Sequence, residues 1–252
     1  MRFIKAMVLL AAVVVGVQFT HVAHGSASIL LCNQQASLPI ADEYAIKNDN
    51  FMGVPQCLSA PSDETPSFQV VVSKANSRGV EPLAYPEIFV GCTWGLCSPD
   101  SPLPAPLDTL PDPRTSWDTS QRASGTWNAA YDLWFDQYPM RNGQATGAEM
   151  MIWLNEQDTA SSAGWPIVTL DNTRWYLVTW VTSGHGKHWR YISFRKVDPT
   201  LQVRHLALEP FFKLAESKGW IRPDWYLLNV EAGFEIWSGG CGLTTRSFST
   251  TV

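Results

Sequence analysis

Two glutamates stand where strand alternation sets them beside aromatic side chains. The first is Glu149, in Gly147-Ala148-Glu149-Met150-Met151-Ile152-Trp153-Leu154. The second is Glu235, in Ala232-Gly233-Phe234-Glu235-Ile236-Trp237-Ser238-Gly239-Gly240. Each stretch reads as a strand, and side chains alternate faces along a strand. Ala148, Met150, Ile152 and Leu154 then form one apolar face, while Glu149, Met151, Trp153 and Asn155 form the other. Phe234 and Ile236 point one way, Glu235 and Trp237 the opposite way. A third strand, residues 131–136, puts Asp132, Trp134 and Asp136 on one face. Flat rings suit the faces of pyranose sugars. Two carboxyl groups cut a glycosidic bond: one protonates the leaving oxygen, and the other attacks the anomeric carbon or activates water. The pair must differ in protonation at working pH, which burial and like-charge proximity arrange. On pattern alone a second reading stands beside this one, in which both glutamates are solvent-facing residues of half-buried strands.

The elements that must position these groups are mostly strands. Residues 68–72, 125–135, 174–182 and 190–195 alternate or run β-branched and aromatic. Gly, Pro, Asn and Asp clusters punctuate them. One helix is expected at residues 210–219, with Pro210 at its first position and Gly219 just past its end. Phe211, Leu214 and Ala215 make its apolar stripe. Many strands and one helix predict an all-β fold, a two-sheet sandwich. The proline-dense segment 98–115 reads as an ordered surface loop or as a linker. The piece before it is too short for a good core of its own, which favours the loop.

The chain opens with a short cationic region and an apolar run at residues 6–17. Small residues follow at 23–28. This is the pattern of a secretory signal peptide, residues 1–27, with an uncleaved anchor as the rival reading. Residues 28–252 then form the mature domain, a size that suits one large all-β unit. A net charge of −5 and the lack of a basic patch argue against a nucleic-acid partner. The chain has five cysteines, so in an oxidising compartment at most two intrachain bridges form. Cys92 and Cys97 suit a local loop staple, Cys32 and Cys57 a staple of the N-terminal region, and Cys241 is left free. Zinc at Cys92 and Cys97 is the alternative, with no second Cys or His pair at ligand spacing nearby.

Several segments together resemble glycoside hydrolase family 12, the small secreted endo-β-1,4-glucanases. Glu149-Met150-Met151-Ile152-Trp153 is similar to the family's nucleophile strand, and Ala232-Gly233-Phe234-Glu235-Ile236-Trp237 to its acid/base strand. Residues 127–136 resemble the strand carrying its neighbouring aspartate. Tyr85-Pro86-Glu87-Ile88-Phe89-Val90-Gly91-Cys92 with Cys97-Ser98-Pro99 is similar to the disulfide loop of bacterial members. Pro223-Asp224-Trp225-Tyr226-Leu227 and Ser247-Phe248-Ser249 also match.

The resemblance implies a β-jelly roll of two antiparallel sheets, one curved around an open cleft. It implies retention of configuration, with Glu149 as nucleophile, Glu235 as acid and then base, and Asp132 beside Glu149, where a hydrogen bond or shared proton would orient the nucleophile. Trp134, Met151, Trp153 and Trp237 are expected to line the substrate's path. No metal or organic cofactor is implied. The expected partner is a β-glucan (cellulose, mixed-linkage β-glucan or xyloglucan) bound by a secreted monomer, with no membrane contact after leader removal. Where the family commonly has Asn-x-Trp, this chain has Asp49-Asn50-Phe51, so Phe51 is the ring expected against the sugar upstream of the cut. The stretch Gly184-His185-Gly186-Lys187-His188-Trp189 departs from the family's Asn-rich loop and reads as a cleft-edge hairpin rather than a metal site. A non-catalytic carbohydrate-binding protein on the same fold is the main rival, and a structural surface protein a third.

Overall fold

The computed structural model describes residues 27–252. The leader read at 1–27 therefore lies, but for its last residue, outside the described residues. Strands β1 (Ser28–Leu31), β2 (Ser37–Ile40), β3 (Tyr44–Lys47), β4 (Gln56–Pro61), β5 (Phe68–Ser73), β6 (Ala75–Asn76) and β7 (Glu87–Thr93) come first. Then follow β8 (Leu96–Cys97), β9 (Ala105–Pro106), β10 (Arg114–Gln121), β11 (Trp127–Asp136), β12 (Ala148–Gln157) and β13 (Ile167–Leu170). Strands β14 (Thr173–Gly184), β15 (Lys187–Lys196) and β16 (Gln202–Ala207) precede the helix α1 (Glu209–Ser217). The chain closes with β17 (Tyr226–Leu227), β18 (Asn229–Gly233), β19 (Ser238–Gly239) and β20 (Leu243–Thr251).

Two sheets face each other. The outer one runs β1-β4-β5-β20-β10-β16. The larger runs β13-β14-β15-β12-β11-β18-β7-β3-β2 and carries the cleft. A small third sheet pairs β19 with β6. The expected all-β sandwich with one helix is found, with one departure: β12 and β15 run parallel. Side-chain alternation separates two apolar layers on β12. Met150, Ile152 and Leu154 join the main core between the sheets. Met151 and Trp153 form a second, small cluster with Ala130, Tyr191 and Trp237 on the cleft face. In the main core Trp117 of the outer sheet meets Tyr131 and Phe234, each at 5.4 Å between ring centroids. Each such fully buried large side chain contributes roughly 1.5–3 kcal/mol.

The helix docks through Phe211, set against Trp175 at 5.1 Å and Phe194 at 5.0 Å. Its buried residues are Phe211, Phe212 and Ala215. Leu214, expected in the stripe, packs against the core while only partly buried, and Phe212 joins the buried side edge-on to Phe135 at 5.4 Å. The proline-dense segment is ordered: it contains β9 and a short 3-10 turn, Leu107–Thr109, and buries Leu103 and Leu107.

Both bridges form as expected, Cys32–Cys57 and Cys92–Cys97, each with Cα atoms 4.1 Å apart. Cys241 is free and exposed.

The stretch around Glu235 is not one strand. β18 ends at Gly233, and Phe234 and Glu235 leave the ladder. Pairing resumes with a bridge at Ile236 and the two-residue β19. The break has a cause on the neighbouring strand. Asn128 of β11 caps the released backbone, accepting the Glu235 N–H on its Oδ1 at 3.1 Å. Its own N–H donates to the Glu235 backbone oxygen at 3.0 Å. Beyond the break, a Cβ on Gly239 would stand 2.0 Å from the Ser124 carbonyl oxygen, so only glycine admits this approach.

Candidate active site

The concave face of the larger sheet forms a cleft whose walls include Glu149, Glu235, Asp132, Phe51, Trp134, Met151, Trp153 and Trp237. All eight residues singled out for chemistry or substrate contact thus meet in one place. Glu149 sits near the start of β12, and Glu235 just past the end of β18. β11 lies between these strands and is antiparallel to both. The two carboxyls therefore rise from opposite ends of the strands into one cleft.

Each carboxyl has a dedicated donor. The indole Nε1 of Trp189 donates to Glu149 Oε2 at 2.6 Å. The amide Nδ2 of Asn128 donates to Glu235 Oε2. Neither donor was singled out from the sequence. Trp189 sits close to the turn of the β14–β15 hairpin, the stretch read as a cleft edge, and the parallel β12–β15 ladder brings it to Glu149.

Asp132 lies two residue pairs from Glu149 on the ladder: Asp132 opposes Met151, and Trp134 opposes Glu149. The expected hydrogen bond between Asp132 and Glu149 is absent. Asp132 Oδ2 accepts from Trp134 Nε1 at 3.1 Å, while Oδ1 is buried without a partner. Diagonal neighbours on adjacent strands stand farther apart than directly opposed ones, and the two carboxyls couple through charge instead. Asp136, on the same strand face by alternation, takes no part. It is buried and accepts N–H groups from Tyr138 at 3.1 Å and Thr146 at 2.7 Å, fixing the loop after β11.

The aromatic floor is braced. Met151 and Trp153 are 2% and 4% exposed. Tyr191 donates its hydroxyl to Met151 Sδ at 3.3 Å. Arg195 lies over the Trp153 ring at 3.5 Å and over Trp165 at 4.6 Å, and pairs with Glu156 at 3.1 Å. Trp237 donates its indole N–H to the Val80 carbonyl at 2.7 Å. Phe51 is 43% exposed and lines the far end of the cleft beyond β3. At the hairpin tip, His185 packs against Trp94 of the Cys92–Cys97 loop at 4.9 Å.

The glycosyl hydrolase family 12 model matches residues 67–252, a stretch that contains Asp132, Glu149 and Glu235.

The chain belongs to glycosyl hydrolase family 12.

Among its relatives, Endoglucanase S of Pectobacterium parmentieri is 30% identical over 164 residues. That match takes in 62% of this chain and 61% of the relative's own length. A metagenome-derived glycoside hydrolase family 12 endoglucanase shares the fold with a TM-score of 0.82 at 33% identity, over 90% of this chain and 98% of that one. Endoglucanase cel12A from Rhodothermus marinus gives 0.80 at 37% identity, over 88% and 98%.

Electrostatics in this family 12 cleft push every central carboxyl upward. Burial raises Glu149 to about 8, against the pull of the Trp189 N–H and with added repulsion from Glu235 and Glu231. Burial raises Glu235 to about 7, opposed by the Asn128 N–H and by Arg195. Burial also lifts Asp132 well above the carboxylate range, and Glu149, Glu231 and Glu235 add to the effect. The site thus holds protonated carboxyl groups at neutral pH, as an acid catalyst requires.

A buried network that sequence reasoning passed over lies beneath the Phe51 end. Glu231 directly opposes Asp132 on the β11–β18 pair. It accepts from Asn229 Nδ2 at 2.7 Å, and the fully buried Glu87 beside it is pushed well above the usual carboxylate range by burial and by Glu231. Lys47 stands 3.0 Å from Asp49 and 3.7 Å from Glu87. Charged residues inside strands read as a solvent face, and no alternation rule marks them as interior.

Proposed function

We propose that this chain is a secreted, retaining endo-β-1,4-glucanase acting on internal bonds of a β-glucan. The observation that carries the reading is the pair Glu149 and Glu235: two carboxyls lining one aromatic-lined cleft, both held above their ordinary pKa. Glu149 attacks the anomeric carbon while Glu235 gives its proton to the glycosidic oxygen, and the leaving chain departs as an alcohol. Glu235, now a carboxylate, takes a proton from water, which displaces Glu149 from the same carbon. Two inversions restore the original configuration. Trp189 holds the departing carboxylate of Glu149 through its N–H. Asp132, kept neutral by burial and by its carboxylate neighbours, avoids a second negative charge beside the nucleophile.

The order of the two values, about 8 over about 7, would alone seat the shared proton on Glu149. Part of the rise at Glu149 is repulsion from Glu235, which lapses once Glu235 carries its proton. The assignment of nucleophile and acid therefore rests on the strand motifs, and covalent labelling decides it. Phe51 offers a ring to the sugar upstream of the cut. The two disulfides and the leader pattern support export, and a monomer is the expected form. Reducing-sugar release from soluble cellulose derivatives, mixed-linkage β-glucan and xyloglucan tests the reading. The wild type releases ends from at least one, and Glu149→Gln from none. Binding without release by the wild type would make the chain a carbohydrate-binding protein instead.

A further inference from the structure

One row of side chains crosses the cleft floor at right angles to the strands. Trp134 of β11 opposes Glu149 of β12, Glu149 pairs with Tyr191 of β15, and Tyr191 opposes Trp180 of β14. Strands lie about 4.8 Å apart, so the β14 strand runs about 10 Å from that of Glu149, on the side away from Phe51. Trp180 stacks on Tyr191 with ring centroids 4.3 Å apart and planes at 32°. Tyr191 is in turn pinned to Met151, beside the catalytic centre. The stack covers one face of the indole only, and Trp180 remains 44% exposed. Its open surface belongs to the cleft: Trp180 and Thr182 line it, whereas Val181 between them does not. A cross-strand aromatic pair explains the covered face. It leaves unexplained a large, rigid apolar ring held open on the path of the substrate.

We propose that Trp180 is the platform of a sugar-binding subsite on the leaving-group side of the cleft, its open indole face taking the apolar face of a β-linked pyranose beyond the one that adjoins the cut bond. The side rests on the glucanase reading, which sets Phe51 against the sugar upstream of the cut. Trp180 and Phe51 then mark opposite ends of the bound chain, and a substrate must be long enough to reach β14 before Trp180 contributes. In the reverse half-reaction the same platform holds the acceptor sugar, whose hydroxyl attacks the glycosyl-enzyme in place of water. The bond to Glu149 breaks, the new glycosidic bond forms, and Glu235 takes the acceptor's proton.

The test compares kcat/KM on a β-1,4-linked glucose hexasaccharide with kcat/KM on an aryl β-cellobioside, whose short leaving group does not extend to β14. Trp180→Ala is expected to lower the ratio of the two roughly fivefold, through KM on the long substrate, and Trp180→Tyr to restore most of it. Transglycosylation products at high hexasaccharide concentration should fall in parallel. If alanine disturbs the sheet, Trp180→Thr keeps a strand-forming residue and carries the same expectation. An unchanged ratio in a folded variant, with the wild type active on both substrates, overturns the subsite alone. A wild type inactive on both overturns the glucanase reading and the subsite with it.

Discussion

The indole N–H of Trp189 donates to Oε2 of Glu149 at 2.6 Å, joining the hairpin β14–β15 to the carboxyl at the start of β12. This contact sets how readily Glu149 gives up its proton, since a donor to the ionised form favours that form. Trp189→Phe keeps a ring beside Trp134, 5.6 Å away, and removes only the N–H. Glu149 then rises above about 8. An attacking carboxylate must be ionised, so the acid limb of the kcat/KM profile moves to higher pH. A hydrogen bond to a charged group is worth about 1.5–3 kcal/mol, so kcat/KM falls roughly ten- to a hundredfold. A pH–rate profile on a soluble β-glucan checks both.

Asn128 plays the matching part for Glu235, and the expected shift appears on the other limb. Its N–H holds Glu235 down against burial. Asn128→Ala raises Glu235, keeps the acid protonated further up, and moves the basic limb to higher pH. The same substitution removes the acceptor for the Glu235 backbone N–H, so kcat drops as the carboxyl loses its fixed position.

Phe51→Ala is expected to raise KM on long glucans roughly threefold with little change in kcat, since stacking on a distant sugar binds ground and transition states alike. Phe51→Trp should lower KM below that of the wild type. Steady-state kinetics on cello-oligosaccharides decide it.

Raised carboxyl pKa values also fix how stability depends on pH. A carboxyl whose folded pKa lies above its unfolded one keeps its full contribution below the unfolded value and loses it as pH rises through the folded value. For Glu149 the window runs from the ordinary glutamate value of 4.5 to about 8, and for Glu235 from 4.5 to about 7. The wild type should therefore lose thermal stability between these limits. Glu149→Gln/Glu235→Gln, with no charge to desolvate, should raise Tm more at pH 8 than at pH 5. Thermal unfolding at the two pH values measures the difference, and an equal rise at both would remove the buried-charge account.

Much of the fold was legible because the rules involved are local. Alternation on 148–154 assigned Met150 and Ile152 to the core and Met151 and Trp153 to the cleft, and they lie there. The two disulfides were expected from export, the odd cysteine count and the family resemblance. What escaped depends on partners far apart in sequence. The break after Gly233 is made by Asn128, more than a hundred residues earlier, so the run 232–240 looked like one strand. Trp189 reaches Glu149 only because β12 and β15 pair in parallel, which neither strand's pattern announces. Phe212 joins the buried side of the helix because it meets Phe135, a residue far away in sequence. Glu87, Glu231 and Lys47 are buried charges that pair across β3, β7 and β18, and a charged residue in a strand carries no sign of being interior.

The central claim is that Glu149 becomes covalently bound to the sugar. A 2-deoxy-2-fluoro-β-cellobioside with a good leaving group slows both chemical steps, yet its leaving group still lets the first proceed, so the glycosyl-enzyme accumulates. Peptide mapping by mass spectrometry then locates the label. One fluorocellobiosyl group is expected on the peptide that contains Glu149, formed as activity is lost, and absent in Glu149→Gln. A label on Glu235 would reverse the two roles, and inactivation-free turnover with an inverted product would contradict the covalent mechanism altogether.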